Sequence, residues 1–432
     1  MRSAAFEQAL GRAKEEKDIE TFLQAAEAMA KAEPKPQRRA ELLASVGDET
    51  LAISRFYRTL QTWRRAAETT GATPGLRAQA LEKMAKLGIL LRDLSLLAEI
   101  AANPAISQAS PETRQSLNRE IGAALQSPID SPAGLSQSFA ASASSDEDYL
   151  AAFKGQFKMS SGARSQFLAR LASRCGGSMA TPACKWSGWP GALSAVEAFD
   201  GAMRSAPTSL ESIEPQAGKL AMAMSQVKAL SGSGDPQLDI LLALGSAKAY
   251  QAFADYLLRA AQANPPAAQI LQQKAKESQT SARASQAECR TIIASANLVS
   301  PTNAACASGR PTDLAGALRW PRSVASRPPT SDPRSADIDE LQKKIFANRT
   351  DPKLYSDLAE LYLAKRQPHH AAAVAAYAMS VFPQNRDDFG EPLGCALARL
   401  GRPAEAMDLL AKASGPHKQE CIGEAKDLLR AN

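Results

Sequence analysis

Histidine is almost missing from this chain, with three in 432 residues: His369, His370 and His417. Nucleophilic triads need a histidine placed by a third group, so that chemistry has little to work with. H-E-x-x-H, G-x-S-x-G and G-x-x-x-x-G-K-[ST] are absent too. No C-x-x-C occurs, which removes the usual zinc spacing. These shortages argue against an enzyme, and they point to no cofactor and no metal. Aromatics are also scarce, at 5%. Runs of β-branched and aromatic residues are nearly absent, which argues against strands. No apolar stretch approaches the ~18 residues that a membrane helix needs.

Alanine fills the space left, and it has the best helix propensity of any residue. The fold class that follows is all-α. Charge gives no strong lead: the net value is +6 over the whole chain, and residues 1–102 are close to balance, which is no nucleic-acid footprint. The one basic region is Arg310 to Arg334, with five arginines and, from Pro301 to Pro333, six prolines. It reads as a stiff, extended linker.

The most regular pattern runs from Asp351 to Ala413. Tyr355, Leu358 and Tyr362 share one helical face, with small Ala359 between them. Lys365-Arg366-Gln367-Pro368 makes a polar turn. Ala371, Ala375, Ala378 and Phe382 then repeat at helical spacing, and Pro383 closes the unit, since proline cannot continue the ladder. A second unit follows about 35 residues later. It has Leu393-Gly394, Leu397, Gly401 in the turn, then Ala406, Leu410 and Ala413, ending at Gly415-Pro416. Large residues beside small ones let two short helices cross closely.

These positions resemble the tetratricopeptide family. Tyr355 stands at its tryptophan position, and Leu358-Ala359-x-x-Tyr362 matches its Leu-Gly-x-x-Tyr. Ala375 departs from the usual aromatic, and Gly390 from the second tryptophan. The resemblance implies a helical-hairpin repeat array, an α-solenoid, with a capping helix over Lys418 to Arg430. It also implies a protein partner on the face of the first helices, which here includes Ser356, Glu360, Leu363 and Arg399. Asp357 and Glu360 would repel a partner's terminal carboxylate, so a basic or mixed peptide, or a protein surface, fits better.

Punctuation suggests five segments. Residues 1–126 form an N-terminal helical-hairpin array, with helices beginning at Ala5–Arg12 and breaks at Pro34–Pro36, Gly47, Gly71–Pro74 and Asn103–Pro104. Residues 127–148 are a low-complexity linker or loop. Residues 149–300 are a middle helical domain with Cys-containing loops. Residues 301–336 are the Pro/Arg-rich linker, and 337–432 the C-terminal repeat domain. Phe56, Tyr57, Leu60 and Trp63 form a dense aromatic cluster suited to a core. Asp146-Glu147-Asp148 suits a helix N-terminus. Gly232 to Pro236 is an interhelical turn rather than a phosphate cradle. Cys175 to Pro190 looks irregular, and Trp186 and Trp189 there serve as a small satellite core or an exposed docking loop. Leu241, Leu242, Ala254, Leu258, Ala261 and Pro266 echo a repeat unit weakly. His369 and His370 open a repeat's second helix, where solvent-facing roles are usual.

Six cysteines fall into neighbouring pairs: Cys175 with Cys184, Cys289 with Cys306, and Cys395 with Cys421. Neighbour pairing is the simplest connectivity, and buried free thiols are the alternative. Disulfides place the chain in an oxidising compartment such as a periplasm. The first residues carry charge at once and lack an apolar signal core, which taken literally means cytoplasmic, unless the chain is a mature form whose leader was replaced. An Ala-rich, disulfide-paired chain with a tetratricopeptide tail resembles periplasmic scaffolds of deltaproteobacterial envelope machines such as the myxobacterial gliding-motility apparatus. That implies an adaptor in an exported envelope or motility assembly. Two other readings stay open: a cytoplasmic tetratricopeptide regulator with free thiols, and a glycan-binding envelope protein using Trp186 and Trp189.

Overall fold

A computed structural model of the chain describes residues 18–205, 210–296, 298–308, 314–320, 323–324 and 328–428, together with 8, 11–13, 15 and 16. Among them every regular element is helical, so the fold is all-α. A single isolated bridge pairs Ile129 with Val324. The chain divides into two compact units, Met1–Leu135 with Ser323–Asp427, and Ser136–Arg322 with Leu428–Asn432.

The first unit starts with α1 (Ile19–Ala32), α2 (Pro36–Ala52), α3 (Phe56–Glu68), α4 (Pro74–Leu91), α5 (Leu94–Ala102) and α6 (Pro111–Leu125). Side chains of Asp18, Thr73, Asp93 and Ser110 cap four of these by accepting from free backbone N–H groups. Of the expected helix Ala5–Arg12, residues 5–7, 9 and 10 lie outside the described residues. Gly47, read as a break, sits inside α2. Its bareness serves packing: a Cβ there would overlap the Trp63 indole of α3. The indole Nε1 donates to the Ala44 carbonyl at 3.2 Å. Trp63 and Phe56 are buried, each contributing about 1.5–3 kcal/mol of apolar transfer. The aromatic cluster is core, as its spacing suggests.

The second unit holds α7 (Leu135–Ser142), α8 (Asp146–Lys154), α9 (Ser161–Cys175), α10 (Pro182–Met203), α11 (Ile213–Leu230), α12 (Pro236–Ala263), α13 (Ala268–Ala296) and α14 (Thr302–Ser308). Ser145 and Asp148 form a capping box at the start of α8, so the acidic triplet opens a helix. The supposed low-complexity stretch thus carries α7 as well. α12 is one 28-residue helix; Leu241 and Ala254 lie on it together, and the weak repeat echo is not a hairpin. Gly232 and Gly234, with φ of 67° and 77°, make the turn before it. Trp186 and Trp189 are on helix α10, not in a loop, and both are buried. Trp186 donates to Asp235 at 3.2 Å and packs 5.3 Å from the Phe153 ring. Helix α10 runs through Pro190, which explains why glycine and proline there misled. Disulfides join Cys175 to Cys184 and Cys289 to Cys306.

The chain then returns to the first unit with α15 (Ala336–Ala347), α16 (Pro352–Ala364), α17 (Pro368–Val381), α18 (Arg386–Arg399), α19 (Pro403–Lys412) and α20 (Lys418–Asp427). Residues 429 and 430, the end of the expected cap, lie outside the described residues. Each helix packs on the next, and α17 also packs on α4. Segments 1–126 and 337–432, expected as separate domains, therefore share one unit. The reason is a set of specific contacts. Phe22 lies 5.5 Å from Phe346, Arg55 donates to Gln342 at 3.1 Å, and the Tyr355 hydroxyl donates to the Ala52 carbonyl at 3.2 Å.

The Pro/Arg-rich segment takes part as well. Residues 309–313, 321–322 and 325–327 of it are outside the described residues. Where described, it is no free spacer. The Asp332 carboxylate accepts from the backbone N–H of Tyr57 and of Arg58, both at 3.0 Å. It thus caps α3, whose own flanking residue Arg55 supplies no side-chain cap. Asp130 N donates to the Val324 carbonyl at 3.1 Å.

His369 and His370 are buried, not solvent-facing. The His369 Nδ1–H donates to the Leu91 carbonyl at 2.7 Å, which fixes its tautomer. His370 Nε2 reaches Asp332 at 3.3 Å, and its ring packs among Phe56, Tyr57 and Tyr362. They join α17 to the N-terminal helices.

Candidate functional site

The residues expected in the repeat core are buried. Tyr355, Leu358, Ala359, Tyr362, Ala371 and Ala378 are 0–1% exposed, and Tyr355 lies 5.4 Å from the Phe382 ring. Pro383 begins a short 3-10 turn after α17. Leu393, Leu397 and Ala406 are buried. A Cβ on Gly394 would come within 2.7 Å of Leu410, so glycine sets the closeness of α18 to α19. Gly401 turns the chain with φ of 72°, a conformation costly for residues with a Cβ.

Alongside this core lies a cleft of about 690 Å³. One wall comes from α16 with Glu360, Leu363 and Ala364. Another comes from α18 with Glu391, Cys395 and Arg399, and the last from α20 with Glu420, Cys421 and Glu424. Within each wall the first and last residues lie four or eight apart, so each wall follows one helical face. Of the four residues expected on the binding face, Glu360, Leu363 and Arg399 line this cleft. Ser356 does not; its Oγ reaches the Asp388 carbonyl at 3.5 Å instead. Asp357, beside it, pairs with Lys353 at 2.8 Å.

The cleft's electrostatics are lopsided. Four glutamates line it against Arg366 and Arg399. Arg399 is already engaged: its Nε donates to Glu424 at 3.0 Å and its Nη1 to the Leu363 carbonyl at 3.2 Å. Glu391 is only 9% exposed, and its Oε1 accepts from the His417 backbone at 2.6 Å. A side chain at Gly415 would land on that same carboxylate, so glycine lets the 414–417 loop close over it.

The Cys395–Cys421 disulfide, with Cα atoms 5.0 Å apart, forms the cleft floor. It ties α20 to α18. Helix α20 buries Cys421 and Ala425, and the covalent link acts beside the Arg399–Glu424 pair and packing on α18 and α19. Glu391, Glu420 and Glu424 escaped the sequence reading. The signal was there in part, since Glu424 sits three residues beyond a cysteine already placed against α18.

A second hollow of about 280 Å³ lies among Arg55, Arg58, Arg65, Glu27, Asp332 and Asp339. Its charges are mutually paired, Arg58 with Glu27 at 3.1 Å and Arg55 with Asp339 at 3.7 Å, so it reads as a structural network. Among the described residues no group of three or more His, Cys, Asp or Glu is arranged to hold a metal ion, and no helix is long and apolar enough to cross a membrane. No protein-family model matches the chain, and no curated protein matches it either.

Proposed function

We propose that the protein is a non-catalytic, tetratricopeptide-type scaffold that holds a protein partner against the cleft between α16, α18 and α20. The single observation behind this is the cleft itself. Its walls fall on the first helices of two successive hairpins, the face such a scaffold uses. The repeat-like spacing of large and small residues supports the same reading. Three disulfides support an oxidising, exported environment; a place in an envelope or motility assembly rests on the sequence resemblance alone. Burial of Trp186 and Trp189 counts against the glycan-binding alternative.

Site-specific photocrosslinking in the native host tests the docking face. A crosslinker at Leu363 is expected to give a discrete adduct with one protein, and one at Ile270, exposed and in the other unit, is expected to give none with it. Equal adducts at both positions, or none at Leu363, overturn the reading. Thiol titration of the unreduced, denatured protein tests the compartment: six free thiols would remove the exported assignment.

A further inference from the structure

We infer that the second unit carries a cationic docking surface, centred on Arg164, Phe157 and Arg319, that takes an acidic segment of a protein partner. The cleft belongs to the first unit, so this surface stands apart from the docking reading above. From Tyr149 to Val196 the chain has six cations, Lys154, Lys158, Arg164, Arg170, Arg174 and Lys185, and no aspartate or glutamate. They stand four to eleven residues apart, too sparse to read as a basic run.

The fold brings a distant arginine to this stretch. Two guanidinium groups rest on the Phe157 ring, Arg319 at 4.7 Å from its centre and Arg164 at 6.0 Å. Cation–π attraction holds both heads, and neither has a carboxylate partner among the described residues. Arg319 is exposed and Arg164 half-buried. Their like charges share one ring, and an anion between them relieves the repulsion. Further along α9, exposed Arg170 donates to the Ala140 and Ala141 carbonyls, and exposed Arg174 to the Ser144 carbonyl. A carbonyl positions a guanidinium without cancelling its charge. The nearby acidic triplet is partly committed. Asp146 accepts from the Thr181 hydroxyl and from Ala183 N, and Asp148 closes the capping box of α8.

Charge complementarity selects an anion, and the way the arginines are held selects its kind. Guanidinium is a planar fork that matches a carboxylate with two parallel hydrogen bonds. The Phe157 ring presents two such forks side by side, which suits carboxylates fixed along one chain. A layer of anionic lipid headgroups is the poorer fit. Stable attachment to it takes an apolar signal beside a basic patch, and Phe157 lies under the arginines rather than free to insert.

The test uses the full-length oxidised protein and two fluorescein-labelled decapeptides of one sequence, one carrying four glutamates and the other four glutamines. Anisotropy is expected to show binding of the glutamate peptide alone, weakening as salt rises. Arg164→Gln with Arg319→Gln is expected to weaken it roughly fivefold to tenfold. Lys274→Gln with Lys276→Gln, at exposed cations of α13, is expected to leave it unchanged. Should circular dichroism show the double arginine variant misfolded, Arg319→Gln alone is the second probe, with a loss of roughly threefold. Equal binding of the glutamine peptide overturns the inference. So does glutamate-peptide binding that survives loss of the arginines or falls equally with loss of the lysines. Sedimentation with phosphatidylglycerol vesicles is the membrane arm: arginine-dependent vesicle binding with no peptide binding overturns the inference too. The Leu363 adduct in the host is expected to persist in the arginine variants, so failure of this surface and failure of the cleft are read separately.

Discussion

Arg402 and Glu120 form an ion pair in which the arginine side chain is fully buried, although 282 residues separate them in sequence. Glu120 also takes Arg92, and Glu405 takes both Arg92 at 3.2 Å and Arg402 at 2.8 Å. Two cations and two anions thus alternate at the junction of α4 and α6 with the α18–α19 turn. Each charge in the ring faces two of opposite sign, although the Nε–H groups of Arg92 and Arg402 are buried without an acceptor, and removing one member of such a ring costs more than the ring itself contributes.

Arg402→Met strands Glu120 without its buried partner. The expected loss is about 3–5 kcal/mol of unit stability, read as a lower urea midpoint. Adding Glu120→Leu to it recovers much of that loss, because replacing both partners by apolar groups is close to neutral. A double variant no more stable than the single one would contradict this account.

Replacing Cys395 and Cys421 together by serine removes the link that closes a 26-residue separation. Chain entropy sets the cost at about 3.5 kcal/mol. The effect concentrates on α20, so hydrogen exchange over residues 418–427 is expected to accelerate while α1–α6 stay protected. Uniform acceleration across the unit would argue that the disulfide stabilises the whole rather than its cap.

Burial holds the His369 imidazole below its ordinary value of 6.5, with the Leu91 carbonyl and Asp93 opposing that shift. The depressed value means that the unfolded chain takes up a proton which the folded protein refuses. Stability from this residue is complete above about pH 6.5 and falls as pH drops toward the lower folded value. His369→Gln is expected to flatten the stability profile between pH 7.5 and 5. Parallel profiles for the two proteins would assign the pH dependence elsewhere.

Gly394→Val drives two methyl groups toward Leu410, which already stands 2.7 Å from where a Cβ would sit. Overpacking of this kind costs about 1–3 kcal/mol. Adding Leu410→Ala makes room, and thermal melting should show the pair less than additive. Strict additivity would mean the two residues do not meet.

Whatever depended on neighbours in sequence was legible. Leu358 beside Ala359, and Gly394 ahead of Leu410, encode close crossings in one short stretch. The cysteine pairs were legible because each joins nearest neighbours in sequence, 9, 17 and 26 residues apart. What depended on distant chain was not. Nothing near Phe56 announces that Asp332 will cap its helix, and nothing near Glu120 announces Arg402. Gly47 and Pro190 misled for the same reason: each signals a break alone, and only Trp63 or a packed helix explains why none occurs. In the cleft, Glu360, Leu363 and Arg399 followed from repeat geometry. Glu391, Glu420 and Glu424 became neighbours only through the docking of α20.

The placement of Asp332 and Arg402 also sets a timetable for synthesis. At the usual 5–20 residues per second, roughly 15–60 s pass between the making of Glu120 and of Arg402. For most of that interval, until Asp332 and His369 are made, α3 lacks its cap and Leu91 lacks the imidazole that takes its carbonyl. The nascent first unit therefore waits with open apolar faces while the second unit is made and free to fold. A ribosome-stalled chain ending before residue 323 should bind holdase chaperones through its first 135 residues and release them once the tail arrives.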